Sequence, residues 1–391
     1  MDRKTENLEL FGPGPEKARL PEDYCPKRPE FFRVDRIALA RGSNATEERQ
    51  SYISGICALY PDAEIVECYD VPHNRIDLGE KDPLRRSDKG KSTLVFGEHK
   101  SAVRFSSEEE NTCPNYWHFS PWGFCFYGCQ YCYLAGTPTF WHSPAVKVFL
   151  NLPEILKEID RAAHKTARPV AFYLGKLQDG LALDPLTGYS EVLVPFFANH
   201  EYARMTLLTK SADVRRLLEL PHRGHTVLSW SVNPPAIASR FEENVPKVED
   251  RLRAMERVSD KGYPVRAVMM PLIPVPGRRE YYREFTRELL SRVPLQRLTL
   301  GGICIYGNAG RLLERKLERG NAISRGIAEG AVSEDGRARY SEDLRLEMYE
   351  SIMEAARQVR PDLDIALCLE ETRTWEKLGL EENLGRCNCV W

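Results

Sequence analysis

The sequence predicts an α/β protein: a partial (β/α)6 barrel preceded by a small α/β, Rossmann-like domain. Three observations lead there. After Tyr116, apolar strand-like runs alternate with helical segments about six times, the pattern of strands joined in parallel by crossover helices. Before it, between Phe32 and Arg104, lies a shorter strand–helix–strand set. The chain has 391 residues, 42% of them hydrophobic, enough for a substantial core. A doubly wound sheet is the second choice.

Residues 1–31, proline-rich and charged, read as an extended arm. Residues 32–110 form the small domain. Its strands are "RVDRIALAR" and "AEIVECYDV", around the helical "ATEERQSYISGICALY" with Asn44 or Thr46 as cap. "KSTLVFGEHKSAVRF" reads as a β-hairpin turning near Gly97. Residues 111–370 carry the repeated units. "PVAFYLG" precedes a helix near Val192–Ala198, "ARMTLLTK" precedes "SADVRRLLEL", and "TVLSWSVN" precedes "KVEDRLRAMERVSDKG". "PVRAVMMPLIP" precedes "REYYREFTRELLSRV", whose mixed charges at i,i+4 suggest a solvated face. "RLTLGGICIY" precedes "GRLLERKLER", and "LRLEMYESIMEAARQVR" leads into "LDIALCLE". Between these last pairs, Ile323 to Tyr340 is Gly-rich and reads as a mobile loop or hairpin. Residues 371–391 form a cysteine-containing tail.

A net charge of −2 argues against a protein that coats nucleic acid by bulk electrostatics, while leaving room for a local basic groove. "MDRKTENLEL" lacks the apolar stretch of a secretory signal. The longest nearly apolar run, Ala267 to Pro276, is far too short to span a bilayer. A cytoplasmic protein with no membrane association is expected. In that reducing setting eleven cysteines point to metal or redox chemistry rather than a disulfide framework.

"GFCFYGCQYCYLAG" sets Cys125, Cys129 and Cys132 within eight residues, spaced C-x3-C-x2-C. A closed zinc site wants four ligands, and this loop offers three. An iron–sulfur cluster held by three thiolates keeps one iron open to a small molecule. The plainer alternatives are three structural cysteines, or a zinc site completed from afar. From the loop the chain is expected to enter the first barrel helix.

The motif resembles the cluster loop of the radical S-adenosylmethionine (SAM) superfamily. More narrowly, "KSTLVFGEHKSAVRF", "GCQYCYL", "LTKSADVRRLL", "LSWSVNPP" and "KGYPVRAVMMPLIP" resemble, in order, segments of the spore photoproduct lyase family. The resemblance implies that Cys125, Cys129 and Cys132 hold a 4Fe-4S cluster. Its open iron would chelate SAM, which an electron would cleave to methionine and a 5′-deoxyadenosyl radical. An electron donor such as a flavodoxin or ferredoxin would then be a partner. Lys210 and Ser231 match SAM-contacting positions, and Asn233, two residues further along the same strand, would face the same way. Tyr131 and Tyr133 match two tyrosines implicated in hydrogen-atom relay, with Tyr133 also placed to touch SAM.

Two departures matter. Lys176 stands where the family has a hydrogen-donating cysteine, and an ammonium N–H bond is far too strong for that role; Lys176 can instead bind an anionic group. Asp179 keeps the family's acidic residue three positions on. Arg325, Arg337, Arg339 and Tyr340 lie where the family inserts a hairpin into DNA, but no wedge residue matches. The tail "LGRCNCVW" brings Cys387 and Cys389, with Cys368 on "DIALCLE". These three can supply the missing hydrogen donor, bind a second cluster, or be a buried cysteine and a frayed thiol tail. Cys25, Cys57, Cys68, Cys113 and Cys304 read as isolated core residues. The expected function is radical SAM lyase chemistry on a damaged or modified pyrimidine in nucleic acid. The alternatives are modification of a free nucleoside or other small molecule, and a non-catalytic metal-binding module.

Overall fold

The computed structural model describes residues 19–21, 24–107, 113–330, 332 and 336–391. The expected arm thus lies largely outside the described residues. The protein is α/β, built on two main sheets. The larger has eight strands: Val103–Ser106, Tyr116–Phe119, Val170–Leu174, Ala203–Thr209, Thr226–Ser231, Val265–Met269, Arg297–Leu300 and Asp364–Leu367. All pair in parallel except the edge strand Val103–Ser106. Spatial order follows chain order without a reversal, unlike a doubly wound sheet, whose order switches.

Strand alternation gives the sheet two different faces. Phe172, Leu174, Met205, Leu207, Leu228, Trp230, Ala267, Leu298 and Ile365 join the main core with the helices. The opposite face carries Tyr173, Thr206, Ser229, Ser231, Arg266, Arg297, Thr299 and Asp364. That polar face is where a site can be built.

The smaller sheet is ordered Glu64–Glu67, Arg36–Leu39, Thr93–Gly97, Val146–Phe149, Trp122–Gly123. Thr46, not Asn44, caps the helix Glu47–Cys57, accepting from Arg49 N. Two of the strands come from beyond residue 110. The expected hairpin near Gly97 does not form: Thr93–Gly97 pairs in parallel with Arg36–Leu39 and Val146–Phe149, whereas Val103–Ser106 joins the other sheet. Leu94, Val95 and Phe96 are fully buried, as a strand covered on both faces requires and an exposed hairpin does not.

Other expectations are corrected too. "SADVRRLLEL" yields only the 3₁₀ turn Leu217–Glu219. Ser211 Oγ accepts from Asp213 N and Asp213 from Arg215 N, local bonds that compete with a helix. After Cys132 the chain makes a turn, a short helix Pro138–His142 and the strand Val146–Phe149 before the helix Leu152–Thr166. "ICIY" leaves the large sheet, and Cys304–Tyr306 pairs with Arg337–Arg339 in a separate hairpin. Within the stretch read as a loop, Ala322–Ala328 is helical, capped by Asn321. The charges of Arg278–Arg292 bind across to the helix Glu342–Val359, as Arg278–Glu347 and Arg283–Glu354, rather than facing solvent alone.

Candidate functional site

The cysteine loop is held from both sides. Trp122–Gly123 pairs with Val148 and Lys147, anchoring its start to the small sheet. Gly128–Cys129 pairs with Glu242–Glu243 further on. A Cβ on Gly128 would come within 2.6 Å of Glu243 O, so the pairing needs glycine there. Phe124, Phe126, Tyr127 and Tyr131 are buried in the core, Phe126 stacking on Phe32 at 4.5 Å. The aromatic residues between the cysteines are therefore anchors. The three cysteines are half-buried as residues.

Burial pushes the Cys125 thiol well up, with Asp179, Cys129 and Cys132 adding to the effect. Burial also raises Cys129 to about 12, though Lys210 opposes it. Thiols that burial keeps protonated become thiolates when a cation binds them. Their spacing is wider than one ion imposes. Among the described residues, the one set of three potential ligand atoms within 4.8 Å of each other is Asp160, His164 and His200. His200 Nδ1 there accepts two backbone N–H bonds, so its other nitrogen keeps the proton and faces Asp160 at 3.2 Å. The cysteine loop thus fits a multinuclear cluster better than a mononuclear zinc site.

Beside the loop, at the C-terminal ends of neighbouring strands, runs a charged network. Lys210 donates to Ser231 Oγ and lies 3.6 Å from Glu242. Tyr131 OH donates to one Glu242 oxygen and Arg251 to the other. A second Arg251 nitrogen donates to Ser231 O at 3.1 Å. Burial opposes charge on Glu242, but Lys210 and Arg251, with the hydrogen bonds from Tyr131 and Arg251, hold its carboxyl below the usual range. The structure brings the expected Lys210, Ser231 and Tyr131 together around Glu242 and Arg251, which sequence reasoning missed. Arg251 left a signal: it falls in the apolar stripe Val248, Leu252, Met255, Val258, all buried. Glu242 left none.

Other candidates are engaged differently. Asn233 lies past the strand end at Ser231, so strand alternation does not orient it; its amide donates to Pro271 O and accepts from Tyr282 OH. Asp179 accepts from Leu181 N, Ala182 N, Thr209 Oγ1 and Lys210 N. It ties two strand ends together beside the loop. Lys176 donates to Ser106 Oγ, with its ammonium 5.1 Å from the Tyr116 ring centroid. Arg339 and Tyr340 are buried and Arg325 is exposed.

Tyr133 is 48% exposed, unlike buried Tyr131, yet Cys132, Cys389, Cys368 and Cys125 all act on its phenol. The tail is docked on the polar face of the large sheet. Arg297 donates to Cys387 O at 2.8 Å and Arg266 to Val390 O at 2.6 Å. Thr206 reaches Cys389 O at 3.5 Å, and Arg204 lies 5.8 Å from the Trp391 ring centroid. The frayed-tail expectation is thereby overturned. Buried arginines satisfy their donors on tail carbonyls rather than leaving them unpaired.

The sequence profile of the spore photoproduct lyase family matches residues 55–300. The chain belongs to this family. Spore photoproduct lyase of Clostridium acetobutylicum is 26% identical over 215 residues, 54% of this chain and 62% of the relative. That of Geobacillus sp. is 30% identical over 236 residues, 58% of this chain and 66% of the relative. The chain therefore aligns with somewhat under two thirds of these relatives' length. Among solved structures, spore photoproduct lyase complexed with dinucleoside spore photoproduct superposes with a TM-score of 0.74 at 20% identity, covering 86% of this chain and 99% of that one. A variant with bound AdoMet and the same dinucleoside gives 0.74 at 20%, covering 85% and 98%. These likenesses establish a shared fold.

Proposed function

We propose that this family member is a radical SAM enzyme acting on a damaged or modified pyrimidine in nucleic acid, with the large sheet as its partial (β/α) barrel and the smaller sheet as a Rossmann-like N-terminal domain. The observation that carries the reading is the three-thiol loop set against Lys210, Ser231 and Glu242 at the strand ends. Cys125, Cys129 and Cys132 would hold a 4Fe-4S cluster. Bound there with SAM, the cluster supplies one-electron cleavage of SAM to methionine and a 5′-deoxyadenosyl radical. Glu242 holds the Lys210 ammonium at Ser231, where the two can contact SAM. Asn233 supports the adjoining turn through Pro271. Asp179 fixes the positions of Thr209 and Lys210, and so acts by positioning. Tyr131 is buried and tied to Glu242, which leaves the exposed Tyr133 as the tyrosine able to meet a substrate or SAM. Lys176, at the edge of the same strand ends, is suited to an anionic substrate group such as a phosphate. An external electron donor of the flavodoxin or ferredoxin type and a cytoplasmic location go with this chemistry.

The second reading, action on a free nucleoside or small molecule, is favoured by the burial of Arg339 and Tyr340, which withdraws them from any DNA-inserting hairpin. One experiment tests both. Anaerobically reconstituted protein is given SAM, dithionite and a synthetic spore-photoproduct dinucleotide, and mass spectrometry follows 5′-deoxyadenosine and restored thymidine dinucleotide. Repair predicts both products. SAM cleavage with an intact dinucleotide selects the small-molecule reading, and no SAM cleavage overturns the radical SAM assignment.

A further inference from the structure

Five of the eleven cysteines lie outside the loop yet close together. Cys368 follows the strand Asp364–Leu367, with its N–H donating to Leu300 O at 2.8 Å. Cys304 starts the separate hairpin, paired with Arg339, whose guanidinium donates to Leu369 O beside Cys368. Cys387 and Cys389 arrive on the tail, where the Cys389 N–H donates to Cys387 Sγ at 3.4 Å. Cys113 comes from just before the strand Tyr116–Phe119. Cys113, Cys304 and Cys387 lie within electrostatic reach of Cys368, and Cys113, Cys368 and Cys387 within reach of Cys389.

We propose that Cys368, Cys387 and Cys389, with Cys113 as a fourth ligand, form a second iron–sulfur site on the polar face of the large sheet. This goes beyond the proposed function, which needs only the loop. The four thiols come from three distant chain segments, and none of the four belongs to the apolar core clusters. Cysteines serving only as packing would be buried in an apolar cluster. Ser229 Oγ and Thr299 Oγ1 on that sheet face, and the amide nitrogen of Asn388 between the two tail cysteines, are buried without hydrogen-bond partners among the described residues. Buried donors are rarely left so, and sulfides and thiolates of a cluster accept such hydrogen bonds. No three of the thiols converge within 4.8 Å, which disfavours a single zinc ion. Arg266 and Arg297 place two positive charges behind the tail cysteines through the bonds to Val390 O and Cys387 O, suited to a thiolate-rich, anionic centre.

The test is iron and acid-labile sulfide per chain after anaerobic reconstitution, with EPR of the dithionite-reduced protein before and after SAM. Three proteins are compared: wild type, Cys125→Ala/Cys129→Ala/Cys132→Ala, and Cys368→Ser/Cys387→Ser/Cys389→Ser. The loop variant should keep about half the wild-type iron and an EPR signal indifferent to SAM; the second variant should keep the other half, with a signal that SAM alters. A folded loop variant without iron or sulfide overturns the proposal, as does a second variant with wild-type iron content. If the second triple variant fails to fold, Cys389→Ser placed in the loop variant must abolish the residual iron, and its persistence overturns the site. Loss of the SAM-responsive signal from the second variant while the loop variant keeps its iron would instead count against the proposed function of the loop, so the two readings fail separately.

Discussion

The cysteine loop and the cysteine tail carry similar chemistry but are built in different ways. In the loop, all three thiols come from eight consecutive residues, and neighbouring aromatics pin the backbone through Phe126 on Phe32 and Tyr131 on Glu242. In the tail, two cysteines gain their place because Arg266 and Arg297, on adjacent strands and ninety or more residues away in the chain, capture tail carbonyls. A local motif announces itself by spacing. A docked segment is known only by what receives it.

The largest expected effect breaks the loop. Cys129→Ala should reduce SAM cleavage to below about 1% of wild type, as loss of one of three cluster ligands would, measured as 5′-deoxyadenosine formed under dithionite; the melting temperature of the apoprotein should barely move. The tail should respond in the opposite sense. Arg297→Met leaves half-buried Asp364 without its ion pair and Cys387 O without its donor, a change expected to cost about 1–3 kcal/mol. Urea unfolding should report the loss, and limited proteolysis should clip the tail before the rest of the chain.

Gly128→Ala probes the shape of the loop without touching a thiol. The added methyl meets Glu243 backbone at 2.6 Å, so the strand pair must shift, at a cost of about 1–3 kcal/mol. Iron retention after reconstitution should fall while Lys210 and Ser231 remain intact. The smallest effect is a pH dependence. Because the Glu242 carboxyl is held below its ordinary range, its contribution to stability is fully present above the unfolded-state value of about 4.3 and is lost as pH falls through the folded-state value. Wild type should therefore lose stability more steeply than Glu242→Gln between about pH 5 and about pH 3. Parallel slopes in urea melts would remove Glu242 from the network that supports Lys210.

Much of the architecture was legible because periodicity is a local property. Strands such as Ala203–Thr209 and Val265–Met269 and helices such as Val248–Asp260 follow the apolar pattern directly. The misreadings occurred where local pattern and long-range partner disagree. "KSTLVFGEHKSAVRF" has the alternation of a hairpin, but its two halves find better partners in different sheets. "SADVRRLLEL" has helical spacing, but Ser211 and Asp213 cap the backbone locally instead.

By itself, the chain of residues determined the α/β alternation, the C-x3-C-x2-C loop and the strand-end positions of Lys210 and Ser231. Each of these is encoded within a few neighbouring residues, whose spacing sets geometry through the fixed period of a strand or helix. Tertiary structure alone decided that Glu242 joins Lys210 to Tyr131 and that Asp179 is a strut. It also decided that the tail carrying Cys387 and Cys389 docks on Arg266 and Arg297 of the large sheet. Those facts depend on which polar group satisfies which across distant segments, and a buried donor is satisfied by any suitably placed oxygen. The rule that such groups must be paired is general, but the partner is chosen only when the sheets close around them.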